Sequence, residues 1–71
     1  MQDKCNNIIN DLILLRKDKG LSQKDLAKAT NLAQPAIARM ESKRTIPQLD
    51  TLIKISEALG YTVKLVPLKW Y

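Results

Sequence analysis

The stretch that most constrains the fold of this chain is residues 22–41, SQKDLAKATNLAQPAIARME. Its first half predicts a short helix that begins after Ser22, because a serine side chain accepts from the free N–H groups of a first helical turn. Asp25, three residues later, makes a weak capping box. Asn31 is placed to end this helix, since asparagine enters the left-handed conformation at modest cost. A second short helix is predicted from Gln34, with Pro35 in its first turn, where a missing N–H removes no hydrogen bond.

Both predicted helices carry one apolar side. Leu26 and Ala27 face inward on the first helix, and Ile37 and Met40 lie three residues apart on the second. Two short helices, joined by a tight turn and held together by such residues, describe a helix-turn-helix. The exposed face of the second helix is then expected to carry side chains suited to contacts with base edges, namely Gln34, Ala36, Ala38 and Arg39.

Two further helices are predicted, one on each side of this stretch. Apolar residues at spacings of three and four predict an amphipathic helix over residues 3–19, which Gly20 ends. A loop over residues 42–48 leads to a helix over 48–59, which Gly60 ends. Leu14 falls off the main apolar stripe and is expected to be exposed or at an interface. The residues expected to face the core are Ile8, Ile9, Leu12, Ile13, Leu15, Leu49, Leu52, Ile53, Ile55 and Leu59.

The period of the pattern changes after residue 60. Residues 61–66 alternate and are rich in β-branched side chains, which predicts a strand of about six residues ended by Pro67. Nothing else in the chain resembles a strand, so the simplest partner for its backbone is the same strand of a second copy, antiparallel across a two-fold axis. The dimerisation residues expected on this basis are Tyr61, Val63 and Leu65. Two alternatives are a frayed tail lying on the helices and strand addition to another protein.

Composition limits the functions open to the chain. Seventy-one residues make one small domain with a marginal core, which oligomerisation would supplement. Twelve basic against seven acidic residues give a net charge of +5, which suits a polyanionic partner; a solvated basic surface without a partner is the alternative. The absence of histidine and the single cysteine exclude a disulfide within the chain and a zinc site of ordinary ligand type.

The same residue types argue against catalysis and against membrane insertion. Cys5 has no histidine partner, so a half-buried structural role is expected for it. No glycine-rich phosphate loop is present, and we expect neither an enzyme nor a bound cofactor. No run of 18 apolar residues exists, and the first fifteen residues lack the features of a signal peptide. A cytoplasmic protein without membrane contact is therefore expected.

About forty positions in register carry a resemblance to a known family. The segment LSQKDLAKATNLAQPAIARMESKRTIPQLDTLIKISEALG closely resembles the phage-repressor-like (Cro/C1, or Xre) helix-turn-helix family, and the match runs from about Ile8 to Gly60. The resemblance implies a compact, all-α, lambda-repressor-like domain of four to five helices, to which the sequence adds the short C-terminal β-strand paired across a dimer. It also implies a structural ion pair between Arg16 and Glu41. The family usually has glycine near Lys43, so lysine there implies a different turn or roughly 1 kcal/mol of strain.

Each position that matches the motif has an expected role on DNA. Gln23 should approach a phosphate, while Gln34 should bond a base, best an adenine, or bond Gln23 and brace the turn. Arg39 suits a guanine or a phosphate, and Pro35 removes one possible base contact, so specificity would depend more on DNA shape. The alternative for the polar residues is an ordinary solvated surface. The full set expected at DNA is Gln23, Gln34, Pro35, Ala36, Ala38, Arg39, Lys43 and Arg44.

These expectations describe a dimeric DNA-binding protein. Residues 1–60 would form the DNA-binding domain, and residues 61–71 would serve dimerisation or partner binding. The leading hypothesis is a transcriptional regulator, acting as a repressor, whose homodimer binds a palindromic operator in double-stranded DNA with half-sites about 34 Å apart. The second hypothesis is an antitoxin that neutralises a partner toxin protein and represses its own operon, because small family members that end in such a strand often do so.

Overall fold

Four helices make up the regular secondary structure of the computed structural model, which describes residues 2–69, with side chains from residue 4 onward. They are α1 (Gln2–Asp18), α2 (Gln23–Thr30), α3 (Gln34–Glu41) and α4 (Leu49–Ala58). The predicted all-α fold is confirmed, with four helices in the described residues. None of these helices is long and apolar enough to cross a membrane. Trp70 and Tyr71, the end of the predicted tail, lie outside the described residues.

All four helices end in the same backbone motif. A residue one or two positions past each helix has a positive φ, and the N–H of the following residue donates to a carbonyl five positions back, which satisfies an otherwise free helix terminus. The four donor–acceptor pairs are Leu21 to Arg16, Leu32 to Ala27, Arg44 to Arg39 and Tyr61 to Ser56, at 2.9–3.1 Å. The positive-φ residues are Gly20, Asn31, Lys43 and Gly60.

The core is built from one or two side chains of every helix. Leu26, Ile37, Ile55 and Leu59 are fully buried, and α2 packs against both α3 and α4 while α1 packs against α3. The remaining members of the buried apolar cluster are Ile9, Leu12, Ala27 and Met40. Most of the predicted core is confirmed, because the helical period places these residues on one side of each helix.

Two residues predicted to face the core do not. Ile8 is 48% exposed and Leu49 is 65% exposed. Leu49 is the first residue of α4 and lies at the end of the helix, beyond the packed turns. Ile8 lies on the side of α1 that faces an open groove, since α1 and α4 are not closely packed. Leu14, at 63% exposed, lies on the surface, as its position off the main stripe indicated.

The C-terminal strand predicted over residues 61–66 is not formed in the single chain. Residues 61–69 have no regular secondary structure, and all of them are exposed. The physical reason is that the rest of the described chain is helical and offers no backbone edge to which a strand could bond. Pairing with a second copy stays a prediction.

Candidate nucleic-acid interface

The candidate interface is the unit formed by α2, α3 and the turn between them. Asn31, with φ 59°, ends α2, and Ala33 immediately precedes α3, so only three residues separate the two helices. Leu26 on α2 and Ile37 on α3 are almost completely buried. The Thr30 hydroxyl donates to the Leu26 carbonyl at 2.7 Å, which satisfies a buried polar group inside the unit. The three-residue turn and the shared burial of Leu26 and Ile37 fix the orientation of α3 relative to α2.

The start of α2 is held by local hydrogen bonds. The Ser22 hydroxyl accepts from the Asp25 N–H at 3.0 Å, and the Asp25 carboxylate accepts from the Ser22 N–H at 2.9 Å. These two bonds form the complete capping box that the sequence predicts. The hydrogen bond from the Ser22 backbone is the main reason that the pKa of Asp25 is lowered, with a second contribution from the Ser22 side chain.

An ion pair ties α1 to the end of α3. The guanidinium of Arg16 donates from Nε to Glu41 Oε2 at 2.7 Å and from a terminal nitrogen to Glu41 Oε1 at 2.9 Å. Its other terminal nitrogen donates to the Leu21 carbonyl at 2.7 Å. Both charged side chains are largely buried, and this bidentate geometry makes the pair directional as well as attractive. The last residue of α3 is thereby anchored to the body of the domain.

Gln23 completes this network. Its side-chain Nε2 donates to Glu41 Oε1 at 2.9 Å, and the side chain is half-buried. Glu41 therefore accepts from both Arg16 and Gln23, which joins α1, α2 and α3 at one carboxylate. The sequence left open whether Gln34 bonds a base or Gln23, and the described structure brings Gln23 to Glu41. A residue 18 positions away cannot be identified from local spacing.

The exposed face of α3 is centred on Pro35. Residues 35, 38, 39 and 42 recur at helical spacing and lie on one side, and of these Pro35, Arg39 and Ser42 are exposed while Ala38 is half-buried. Gln34 is exposed at the start of the helix, and Ala36 is half-buried toward α4. Ser42 was missed by sequence reasoning, although its position seven residues after Pro35 was a usable signal. Its hydroxyl donates to the Arg39 carbonyl at 3.0 Å.

Two basic residues follow directly at the end of α3. Lys43 adopts φ 64°, the left-handed conformation that a glycine would occupy without strain, and Arg44 is the residue whose N–H closes the helix end. Of the two possibilities raised by a lysine at this position, the strained turn is therefore the one observed, at a cost of roughly 1 kcal/mol. Both side chains are exposed, and with Arg39 they place three positive charges along and beyond the exposed face.

A hollow next to α3 is lined in part by residues of the following loop and of α4. It has a volume of about 280 Å³ and an apolar floor that includes Ile37 and Met40. Polar side chains that sequence reasoning did not single out lie around it beside Arg39, namely Thr45, Gln48 and Thr51. Gln48 directly precedes α4 without capping it through its side chain. Its amide therefore has no role in that helix end.

Comparison with known proteins agrees with this arrangement. A helix-turn-helix family model matches residues 12–66, which is most of the chain. The chain therefore belongs to the helix-turn-helix family of the Cro/C1 type, as its motif predicted.

Three similar proteins carry this assignment further. An uncharacterized HTH-type transcriptional regulator of Haemophilus influenzae is 45% identical over 62 residues, covering 87% of this chain and 63% of the relative. Antitoxin HigA1 of Mycobacterium tuberculosis is 33% identical over 64 residues, covering 90% of this chain and 43% of the relative. This chain thus spans less than two thirds of the length of these two curated relatives. A toxin–antitoxin module from Streptococcus pneumoniae has a chain that matches with a TM-score of 0.78 and 46% identity, covering 94% of this chain and 74% of that one.

Proposed function

We propose that this chain is a sequence-specific DNA-binding transcriptional regulator that represses transcription by occupying its operator. α3 enters the major groove with the face around Pro35 toward the bases. The observation that carries this proposal is the combination of an anchored helix and an exposed face. The network of Arg16, Gln23 and Glu41 holds one edge of α3, while Gln34, Pro35 and Arg39 on the outer side are exposed.

The side chains on this face divide into base contacts and phosphate contacts. Gln34 bonds an adenine edge, and Arg39 bonds guanine through its planar, bidentate guanidinium. Lys43 and Arg44 contact phosphates, which supplies affinity without regard to sequence. Pro35 has no side-chain donor at the centre of the face, so shape complementarity carries part of the specificity. Ala38 allows the helix backbone a close approach, with a thymine methyl group as its contact, whereas Ala36, half-buried toward α4, lies at the edge of this contact.

Gln23 has two roles in this proposal. In the free chain its Nε2 donates to Glu41, while the first N–H groups of α2 have no acceptor inside the helix. On DNA those N–H groups approach a phosphate, where the positive end of the helix favours an anion. The hydrogen bond from Gln23 to Glu41 joins the start of α2 to the end of α3. It thereby keeps the phosphate contact of α2 in a fixed position relative to α3.

The operator-binding form is a homodimer. One monomer offers a single eight-residue helix to the groove, and two copies related by a two-fold axis read two half-sites about 34 Å apart, which makes the operator palindromic. In this arrangement residues 1–60 form the DNA-binding domain, and residues 61–71 form the segment for dimerisation or partner binding. Tyr61, Val63 and Leu65 are the residues that dimerise.

The experiment for this proposal is a titration against DNA from the chain's own promoter region at several salt concentrations, with random DNA of equal length as the control. We expect the promoter DNA to bind well above random DNA, with an affinity that falls steeply as salt rises because counterions are released. Equal weak binding to both DNAs would contradict the proposal. It would direct attention to residues 61–71 and to a protein partner.

Arg39 provides a sharper test of the reading face. Arg39→Ala should weaken operator binding by about 1–3 kcal/mol and leave thermal unfolding nearly unchanged, because an exposed base contact is removed. Lys4→Ala, at the start of α1, removes the same charge away from α3 and is the matched control. If Arg39→Ala lowers affinity for operator and random DNA equally, Arg39 contacts a phosphate instead of a base.

A second candidate function is that of an antitoxin that binds a toxin protein and represses its own operon. The similarity to antitoxin HigA1 and to a toxin–antitoxin module favours it, and it is compatible with DNA binding. The test is co-expression with the product of a neighbouring small gene. We expect the two proteins to purify together and growth arrest by that product alone to be relieved by this chain. A neighbour that causes no growth arrest and does not co-purify would rule this function out.

A further inference from the structure

An apolar groove lies between α1, α4 and the beginning of the C-terminal segment. It has a volume of about 530 Å³ and is lined mainly by Ile8, Leu12, Leu14, Leu52, Tyr61 and Val63. We call it the α1–α4 groove. It exists because α1 packs on α3 and α4 packs on α2, which leaves α1 and α4 apart. A soluble single domain rarely leaves such an apolar surface uncovered unless something binds there.

The segment that follows the groove wall is itself apolar and uncovered. Leu65 is 99% exposed, and Val66 and Leu68 are also largely exposed. The last backbone hydrogen bond inside the described chain is the one from the Tyr61 N–H to the Ser56 carbonyl. The C=O groups of residues 62–69, and their N–H groups apart from Pro67, which has none, thus have no backbone partner within the described residues, and this edge is open to another chain.

The groove wall and the exposed apolar residues are consecutive in the chain. Residues 61–64 all line the groove and form one of its walls. Within its own chain Leu65 lies past the end of the groove wall. Returning it to its own groove would need a reverse turn at residues 64–66, which contain no glycine, asparagine or aspartate.

We propose that the α1–α4 groove of each copy is covered by residues 65–68 of a second copy, with Leu65 seated against Leu14 and Ile8. The proposal deepens the homodimer of the proposed function and rests on it, and it assigns α1 as the surface that receives the partner. Each copy carries one groove and one segment, so a single two-fold axis fills both grooves at once.

Charge is compatible with a second copy as the occupant. Asp11 lines the groove and forms no ion pair within the described residues, although Lys64 of the same chain also lines it. Lys69, just past the apolar segment, is exposed. A segment arriving from a second copy therefore brings a further positive charge, that of Lys69, to the rim on which Asp11 lies, which favours this docking over that of an uncharged apolar peptide.

The first test measures the dimer dissociation constant by sedimentation equilibrium without DNA. Leu14→Glu and Leu65→Glu each introduce two charges into the proposed dimer and should raise this constant by about tenfold or more. Both residues are at least 63% exposed, so the folded monomer is retained, which the helical circular dichroism signal checks. Leu49→Glu is the matched control, since Leu49 is 65% exposed and lies outside the groove; it should change the constant less than about twofold.

The second test establishes which residues meet. In a Cys5→Ser background, chains with Leu14→Cys are mixed with chains carrying Leu65→Cys and oxidised, so any mixed disulfide must join two different molecules. We expect this crosslink to form readily, because a disulfide needs Cα atoms within about 7 Å. The pair Leu49→Cys and Leu65→Cys should not crosslink. Equal crosslinking of both pairs would overturn the proposal.

Promoter titration of the same variants separates failure of this inference from failure of the proposed function. If the wild-type chain selects promoter DNA while Leu14→Glu remains a full dimer, the groove assignment is wrong and DNA recognition stands. If the crosslink forms but promoter and random DNA bind equally, the groove assignment stands and the proposed function is wrong. If the chain stays monomeric until a second, different protein is added, that protein is the occupant of the groove. This outcome would overturn the proposal.

Discussion

The helices α2 and α3 have the same length and are stabilised in different ways. Each has eight residues, too few for an isolated helix to be stable in water. α2 begins with the full capping box of Ser22 and Asp25, whereas α3 begins after Ala33, which has no side-chain capping bond, and has Pro35 in its first turn. At its other end, Glu41 holds α3 by the bonds from Arg16 and Gln23. Local chemistry thus defines α2, while tertiary contacts define α3.

This difference matters for the proposed reading of DNA. A capping side chain at the start of α3 would occupy the end of the helix that we propose contacts the bases, whereas the anchor at Glu41 lies at the opposite end and on the inner edge. The residues of the exposed face of α3 therefore make few contacts that stabilise the fold. The position of this face depends on the core and on one ion pair.

The largest effect should come from breaking the anchor of α3. Arg16→Met leaves Glu41 buried without its charged partner and should lower the free energy of unfolding by about 3–5 kcal/mol. Thermal unfolding would measure this as a fall in Tm of about 4–8 °C per kcal/mol for a domain of this size. The double variant Arg16→Met with Glu41→Leu should regain most of the loss. A double variant no more stable than Arg16→Met would show that the bond to the Leu21 carbonyl, and not the ion pair, is the main anchor.

A smaller loss should follow from removing the local cap of α2. Ser22→Ala leaves the Asp25 N–H without its acceptor and should cost about 1 kcal/mol, measured by urea unfolding. Ser42→Ala is the matched control, because Ser42 is exposed and its hydroxyl bonds a carbonyl at a helix C-terminus. A cost for Ser22→Ala no greater than that of Ser42→Ala would mean that α2, like α3, depends on tertiary contacts.

Adding a capping side chain at the start of α3 should stabilise the folded chain. Ala33 has φ −72° and ψ 136°, a backbone conformation suited to a capping residue, so Ala33→Ser should add roughly 0.5–1 kcal/mol. Pro35 has no N–H, so the Ala36 N–H, which donates to the Ala33 carbonyl at 3.0 Å, would be shared with the new hydroxyl. Ala29→Ser, on the exposed side of α2, serves as the control and should be slightly destabilising. Equal effects of the two serines would show that the start of α3 does not benefit from a cap.

The smallest expected effect is a pH dependence confined to α2. The pKa of Asp25 is lowered by its hydrogen bonds from Ser22, so its contribution is fully present above the unfolded-state pKa of about 3.9 and is lost as pH falls through the lower folded-state value. Asp25→Asn should therefore be less stable than the wild-type chain at pH 7, with a difference that shrinks toward pH 2. A difference in Tm that stays constant between these pH values would contradict a role for the carboxylate charge.

The sequence by itself determined the helix boundaries and the family. Caps and helix ends depend on hydrogen bonds between residues three to five positions apart, so Ser22, Asn31, Gly20 and Gly60 could be interpreted without knowledge of the rest of the fold. The apolar period likewise predicted most of the core, because burial on a helix follows its repeat.

Only the tertiary structure decided which contacts form between residues far apart in the sequence. It exposes Ile8 and Leu49, brings Gln23 to Glu41, and places Pro35 at the centre of the outer face of α3. It also shows that residues 61–69 have no strand partner within the described chain. These features depend on contacts between residues far apart in sequence, and such contacts follow from how the helices pack, which no local pattern specifies.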